Sequence, residues 1–178
     1  HYTSIPVLPM ASLDHDGNVI YIGTLSKTLA PAIRTGFMIA PENFTHAAAY
    51  LRRWIDRQGD SLMEIALAAL YRNGILASHI RKVVKIYHER RDHFCALLKD
   101  KLGDRVTFNI PDGGMSIWAT FPDADLKKIA ESAEKKGLIM SDGRLYNLVK
   151  NYNSTRLGFA SLNLKEQEKA VDILRKCC

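Results

Sequence analysis

Apolar residues follow two regimes along this chain: strand-length runs and long helical stripes up to Leu102, then shorter alternating elements. Val19-Ile20-Tyr21-Ile22 and Phe37-Met38-Ile39-Ala40 are continuous apolar runs of strand length and predict two short buried strands. Pro41, placed for a first turn, opens a helix that runs to about Ile55. Gln58-Gly59-Asp60-Ser61 interrupts it, and Asp60 or Ser61 can cap the next helix by accepting from its free amides. That second helix, Leu62 to about Arg72, is nearly all apolar and alanine-rich, which predicts burial. Asn73-Gly74 ends it with the left-handed turn that glycine tolerates. Leu76, Ile80, Val83, Val84, Tyr87, Phe94, Leu97 and Leu98 then form one apolar stripe, predicting a long helix from about Ile75 to Leu102.

Past Gly103, Val106-Thr107-Phe108 and Met115-Ser116-Ile117-Trp118-Ala119 read as strands flanking the turn Pro111-Asp112-Gly113-Gly114. Leu126 to Lys136 is an amphipathic helix closed by Gly137. Leu138-Ile139-Met140 and Thr155 to Phe159 read as further strands, and Lys165 to Lys176 as a final helix. The second regime therefore predicts a small α+β unit, joined by the long helix to what precedes it. No internal repeat or low-complexity segment interrupts the pattern.

With 178 residues and 47% apolar content, the chain can bury a sizeable core. Its longest apolar runs are far too short to cross a bilayer. It starts at His1 rather than methionine and reads as part of a longer chain. The net charge of +6 raises nucleic-acid binding. Yet the clearest basic cluster, Arg81, Lys82, Lys85, His88, Arg90 and Arg91, is spread along the long helix and reads as a solvated face. Of three cysteines, Cys95 falls among apolar helix residues and reads as a small buried hydrophobe. Cys177 and Cys178 lack a second Cys/His pair at zinc-site spacing, so a reduced, cytoplasmic protein is expected.

The chemistry concentrates in Gly23-Thr24-Leu25-Ser26-Lys27-Thr28-Leu29-Ala30-Pro31-Ala32-Ile33-Arg34. One lysine stands between hydroxyl residues, and an arginine follows seven positions later, all between the two apolar runs. A bare Ser-Lys is usually a solvated turn. Here an amine can reach an aldehyde while Arg34 grips a phosphate by two parallel hydrogen bonds, which suits pyridoxal 5'-phosphate. The string resembles the cofactor-lysine segment of fold-type I aminotransferases, and most of all the form in MocR-type regulators of the GntR family. The resemblance implies Lys27 as the catalytic, cofactor-bearing lysine, with Thr24 and Arg34 as phosphate ligands and Ser26 as a further cofactor contact.

A second match is Asn153-Ser154-Thr155-Arg156-Leu157-Gly158-Phe159-Ala160, where an arginine interrupts alternating apolar strand positions. An isolated arginine of this kind is usually salt-bridged or solvated. The surroundings resemble the family's Arg-Leu-Gly-Phe strand, which implies that Arg156 binds a substrate carboxylate by a bidentate pair. Gly113-Gly114-Met115 resembles the family's entry to its small domain, where a side-chain-free backbone can approach substrate; a plain hairpin turn is the alternative. Tyr146 is a candidate to reach the site, or a loop tyrosine.

The resemblance implies an α/β fold, the C-terminal half of the pyridoxal-phosphate-dependent transferase fold. Residues 1–74 would close the large cofactor-binding domain, 75–102 form the interdomain helix, and 103–178 make the small domain. The family's aspartate on the pyridine nitrogen, its Gly-rich phosphate turn, its stacking aromatic and its asparagine are implied to lie upstream. Asp14 and Asp16 do not fit the aspartate's place, so this stretch alone is expected to be catalytically weak. Two readings of the parent stay open, beside a blander third in which the chain is a cofactor-free scaffold and Lys27 a relic. One is a transcriptional regulator whose aminotransferase-like domain senses an amino acid or amine and whose DNA contacts come from an N-terminal domain outside this chain. The other is a free-standing aminotransferase. A homodimer is implied in either case.

Overall fold

A computed structural model describes residues 1–3, 8–146 and 153–178. The chain divides into two compact units, Ile5–Lys82 and a second made of His1–Ser4 with Val83–Cys178.

In the first unit, strands β1 (Tyr21–Thr24) and β2 (Gly36–Ile39) pair antiparallel, with Tyr21 opposite Ile39 and Thr24 opposite Gly36. Both predicted strands are shifted. Val19 does not enter a ladder because its amide donates to the Asp14 carboxylate at 2.7 Å. The same carboxylate takes the Asp16 amide at 3.2 Å, folding 14–19 into a turn. These amides, Val19 foremost, hold the Asp14 carboxyl below the usual carboxylate range. The predicted burial of the strands is not observed: β2 is exposed along its length and β1 only half-buried at alternate positions. A two-stranded sheet with apolar residues on both faces requires a covering layer on each, and no described element of this unit supplies both.

Helices α1 (Glu42–Ile55) and α2 (Ser61–Arg72) follow. Asp60 caps α2 as expected, taking the Met63 amide at 3.0 Å. Contrary to its composition, α2 buries only Leu67, while Leu62, Ile65 and Tyr71 are 80, 68 and 74% exposed. Composition sets what a helix can bury; a tertiary cover decides whether it does.

Helix α3 (Ile75–Leu102) enters the second unit at Val83. That unit's sheet has the order β3 (Thr107–Phe108), β4 (Ser116–Thr120), β5 (Ser154–Gly158), antiparallel throughout. Helices α4 (Leu126–Glu134) and α5 (Leu164–Arg175) complete it. Phe94, Leu98 and Leu102 of α3 meet Ile117, Ala119, Leu157 and Phe159 of the sheet side, with Ile129 and Leu174 from the other helices. Cys95 lies in this core at 1% exposure, and burial pushes its thiol pKa up. The expected strand at 138–140 is not one. Leu138 and Met140 pack on the core as alternate strand residues would, but the segment lies outside the paired sheet.

The basic cluster is only partly a solvated face. Arg90 Nη1 donates to the Ala160 carbonyl. Arg91 is buried, donates to the Pro111 carbonyl at 2.9 Å, pairs with Asp92 at 2.7 Å and lies 4.8 Å over the Tyr2 ring. Gln167, fully buried on α5, donates to the carbonyls of Arg90 at 3.1 Å and Phe159 at 3.0 Å, and its Oε1 meets His93 Nδ1 at 2.9 Å. One amide thus ties α3, α5 and the end of the sheet together.

Candidate functional site

Thr24 closes β1 and Gly36 opens β2, so the segment 25–35 is a hairpin connection pinned at both ends by one cross-strand pair. Inside it the Leu25 amide donates to Thr35 O at 3.0 Å, and the Thr28 and Leu29 amides return to Leu25 O at 3.2 and 2.9 Å. The Ser26 amide donates to Thr24 Oγ1 at 3.2 Å. This folds Ser26 inward, to 8% exposure, and leaves Lys27 outward. A 3-10 turn at Pro31–Ile33 then delivers Arg34 in the left-handed conformation, φ 51° and ψ 25°. A non-glycine residue there stores roughly 1 kcal/mol or more, and such strain clusters at binding sites.

Thr24, Ser26, Lys27 and Arg34 are therefore brought onto one tight connection. Among the described residues, neither Lys27 nor Arg34 makes an ion pair or side-chain hydrogen bond. Two cations with no described partner, carried on one loop with two hydroxyls, fit a phosphorylated aldehyde: a guanidinium and a hydroxyl for the phosphate, an amine for the carbonyl carbon.

Two supports for this loop were not legible in the sequence. His79 Nε2 lies 3.1 Å from Thr28 O, bracing the residue after the lysine from α3. Gly36 is required by packing, since a Cβ there would sit 2.6 Å from Gly23 O. Backbone cannot retreat as a side-chain tip can. Gly36→Ala is expected to destabilise the hairpin by about 1–3 kcal/mol and to weaken cofactor binding about tenfold or more. Thermal melts and cofactor titration of the variant check this; wild-type values in both would refute the pinning role.

Arg156 belongs to the second unit. It points from the middle of β5 to the sheet face opposite the core, exposed, with Leu157 buried beside it. The Gly113-Gly114 turn is held by residues His1 and Tyr2. The Tyr2 amide donates to Asp112 O at 2.7 Å, Tyr2 Oη donates to Gly114 O, and a Cβ on Gly113 would meet His1 Nδ1 at 2.9 Å. The close approach that the glycines allow is thus made by the chain itself. Tyr146 stands edge-on to Trp118, ring centroids 5.1 Å apart.

The model of the aminotransferase class I and II family matches residues 2–174, and the chain belongs to that family. It is 32% identical over 89% of its length to an aromatic-amino-acid aminotransferase of Thermococcus litoralis, of which it spans 38%. It is 31% identical over 96% of its length to the probable rhizopine catabolism regulatory protein MocR of Rhizobium meliloti, of which it spans 35%. Among solved structures, the kynurenine aminotransferase of Pyrococcus horikoshii, crystallised with PMP, superposes with a TM-score of 0.87 at 30% identity; the match covers 99% of this chain and 44% of that one. The fold is therefore a portion of the fold-type I α/β fold, and pyridoxal 5'-phosphate is the cofactor to which the family points. The chain spans less than half the length of each of these relatives. Among the described residues, no helix is long and apolar enough to cross a membrane.

Proposed function

We propose that this chain is the C-terminal part of the pyridoxal-phosphate-binding effector domain of a MocR-type regulator of the GntR family. The observation that carries the reading is the loop itself, where among the described residues Lys27 and Arg34 make no ion pair or side-chain hydrogen bond and Thr24 and Ser26 lie at its base. The runs Ser26 to Pro31, Arg57 to Asp60 and Ile86 to Asp92 resemble the regulator group, and the likeness to the MocR protein extends over 96% of this chain.

When bound, pyridoxal 5'-phosphate supplies an aldehyde and an electron-withdrawing ring. Arg34 and Thr24 would hold the phosphate, Ser26 would add a further cofactor contact, and Lys27 Nζ would hold the aldehyde carbon. Arg156 orients an amino-acid or amine ligand through a carboxylate where the ligand has one. Residues 1–74, 75–102 and 103–178 serve as the end of the large domain, the linking helix and the small domain. The protein works as a cytoplasmic homodimer, and DNA contacts come from a domain N-terminal to this chain.

A second reading, a free-standing aminotransferase, is favoured by the likeness to the Thermococcus litoralis enzyme. There Lys27 Nζ would serve as the general base that takes a proton from the ligand's α-carbon, hold it as an ammonium, and give it back as the general acid. Duplex binding by the full-length native protein separates the two. The regulator reading predicts binding to a specific duplex that weakens steeply with salt. Amino-group transfer without any duplex binding would overturn it in favour of the enzyme.

A further inference from the structure

The backbone bonds that bracket the β4–β5 ladder fix which residues face each other closely. Phe121 N–H donates to Asn153 O at 3.0 Å, and Phe159 N–H donates to Met115 O at 3.1 Å. Hydrogen-bonded pairs alternate with open ones along an antiparallel ladder, so these ends make Ile117–Leu157 and Ala119–Thr155 the bonded pairs. Trp118–Arg156 is then an open pair, the kind whose side chains stand closest, with Cβ atoms about 4.5–5.5 Å apart. The next open pair behaves accordingly, Thr120 Oγ1 lying 2.8 Å from Ser154 Oγ.

Three observations meet at that pair. Arg156 is exposed, and among the described residues no carboxylate lies within ion-pair distance of it. Trp118 is 49% exposed on a strand whose neighbours Ile117 and Ala119 are buried, so its indole is spent on nothing in the core. Tyr146 backs it edge-on, 40% exposed, and fixes the indole's orientation. On the β3 side, Trp118 also walls a cavity of about 510 Å³ floored by Thr107, Ser116 and Thr120. That volume suits a small organic ligand.

We infer that Trp118 is a specificity-determining residue, a shelf on which the planar body of an aromatic carboxylate lies while its carboxylate is held by Arg156. The inference rests on the reading of Arg156 as the carboxylate ligand. A guanidinium accepts any carboxylate, so it cannot choose among ligands; an indole beside it favours those that carry a flat apolar body. The hydroxyls on the cavity floor then tolerate a polar substituent at the far end.

The test is calorimetric titration of the full-length native protein with 3-phenylpropanoate and with propanoate, which share the carboxylate and lack a reactive amine. The aromatic acid is expected to bind about tenfold tighter or more. Trp118→Ala should remove that advantage while leaving propanoate affinity as it was, which also shows that the site has folded. Trp118→Phe should keep most of it. Equal affinities for the two acids in the wild type, or a Trp118→Ala variant that keeps the preference, would overturn the shelf. Arg156→Ala should weaken both acids together; if it changes neither, the carboxylate reading itself falls, and the shelf with it.

Discussion

Replacing Lys27 by alanine in the full-length protein is expected to abolish the visible absorbance of the bound cofactor, the largest single-residue effect the site predicts. The reason is local. Lys27 is the amine that the Thr24–Ser26 contact turns outward on a loop pinned by Thr24 and Gly36. The described loop offers no second amine. Lys27→Arg should lose the band as well, because a guanidinium stays protonated and does not condense with an aldehyde. The phosphate contacts proposed for Arg34 and Thr24 would remain in both variants, so weak, non-covalent cofactor binding without the lysine-linked band should persist. Absorbance and equilibrium dialysis read the two properties separately. A wild-type spectrum in either variant would remove Lys27 from its role.

Phe159→Ala carries the largest expected cost in stability. The ring is fully buried where the chain leaves β5, in contact with the Tyr2 ring and within the cluster shared by α3, α4, α5 and the sheet. Its backbone is held from both sides, its amide by Met115 O and its carbonyl by Gln167, so the strand end cannot collapse into the space the ring vacates. Removal of a large aromatic side chain from such a site costs about 3–5 kcal/mol. Denaturant unfolding should show a lower midpoint, and carboxylate affinity should fall with it, because Arg156 sits on the same strand. A loss below about 1 kcal/mol would mean that the cluster is not the unit's main core.

What was legible in the sequence follows from how local each cause is. The Lys27 string could be read because its chemistry lies within twelve consecutive residues. The cap at Asp60 and the stripe of α3 depend on spacings of three and four. The shift of the first strand was hidden because Asp14, outside the apolar run, captures the Val19 amide. Burial of α2 does not follow from its composition, since an apolar helix is buried only where another layer meets it. Arg91 looked like a surface charge in a basic run, and only the fold sets Tyr2 and the Pro111 carbonyl against it. His79 and Gln167 are single polar residues on helices, and their partners lie far off in sequence. Alternation puts Trp118 on a strand, but its partner across the ladder, Arg156, depends on the register.

Everything proposed for this loop depends on its holding pyridoxal 5'-phosphate on Lys27. The most direct measurement is borohydride reduction of the full-length protein as purified with its cofactor, followed by proteolysis and mass spectrometry. A phosphopyridoxyl group is expected on the peptide containing Lys27 and, in the Lys27→Ala variant, its absence. Label on another lysine, or none on a protein that carries the cofactor's absorbance, would contradict it.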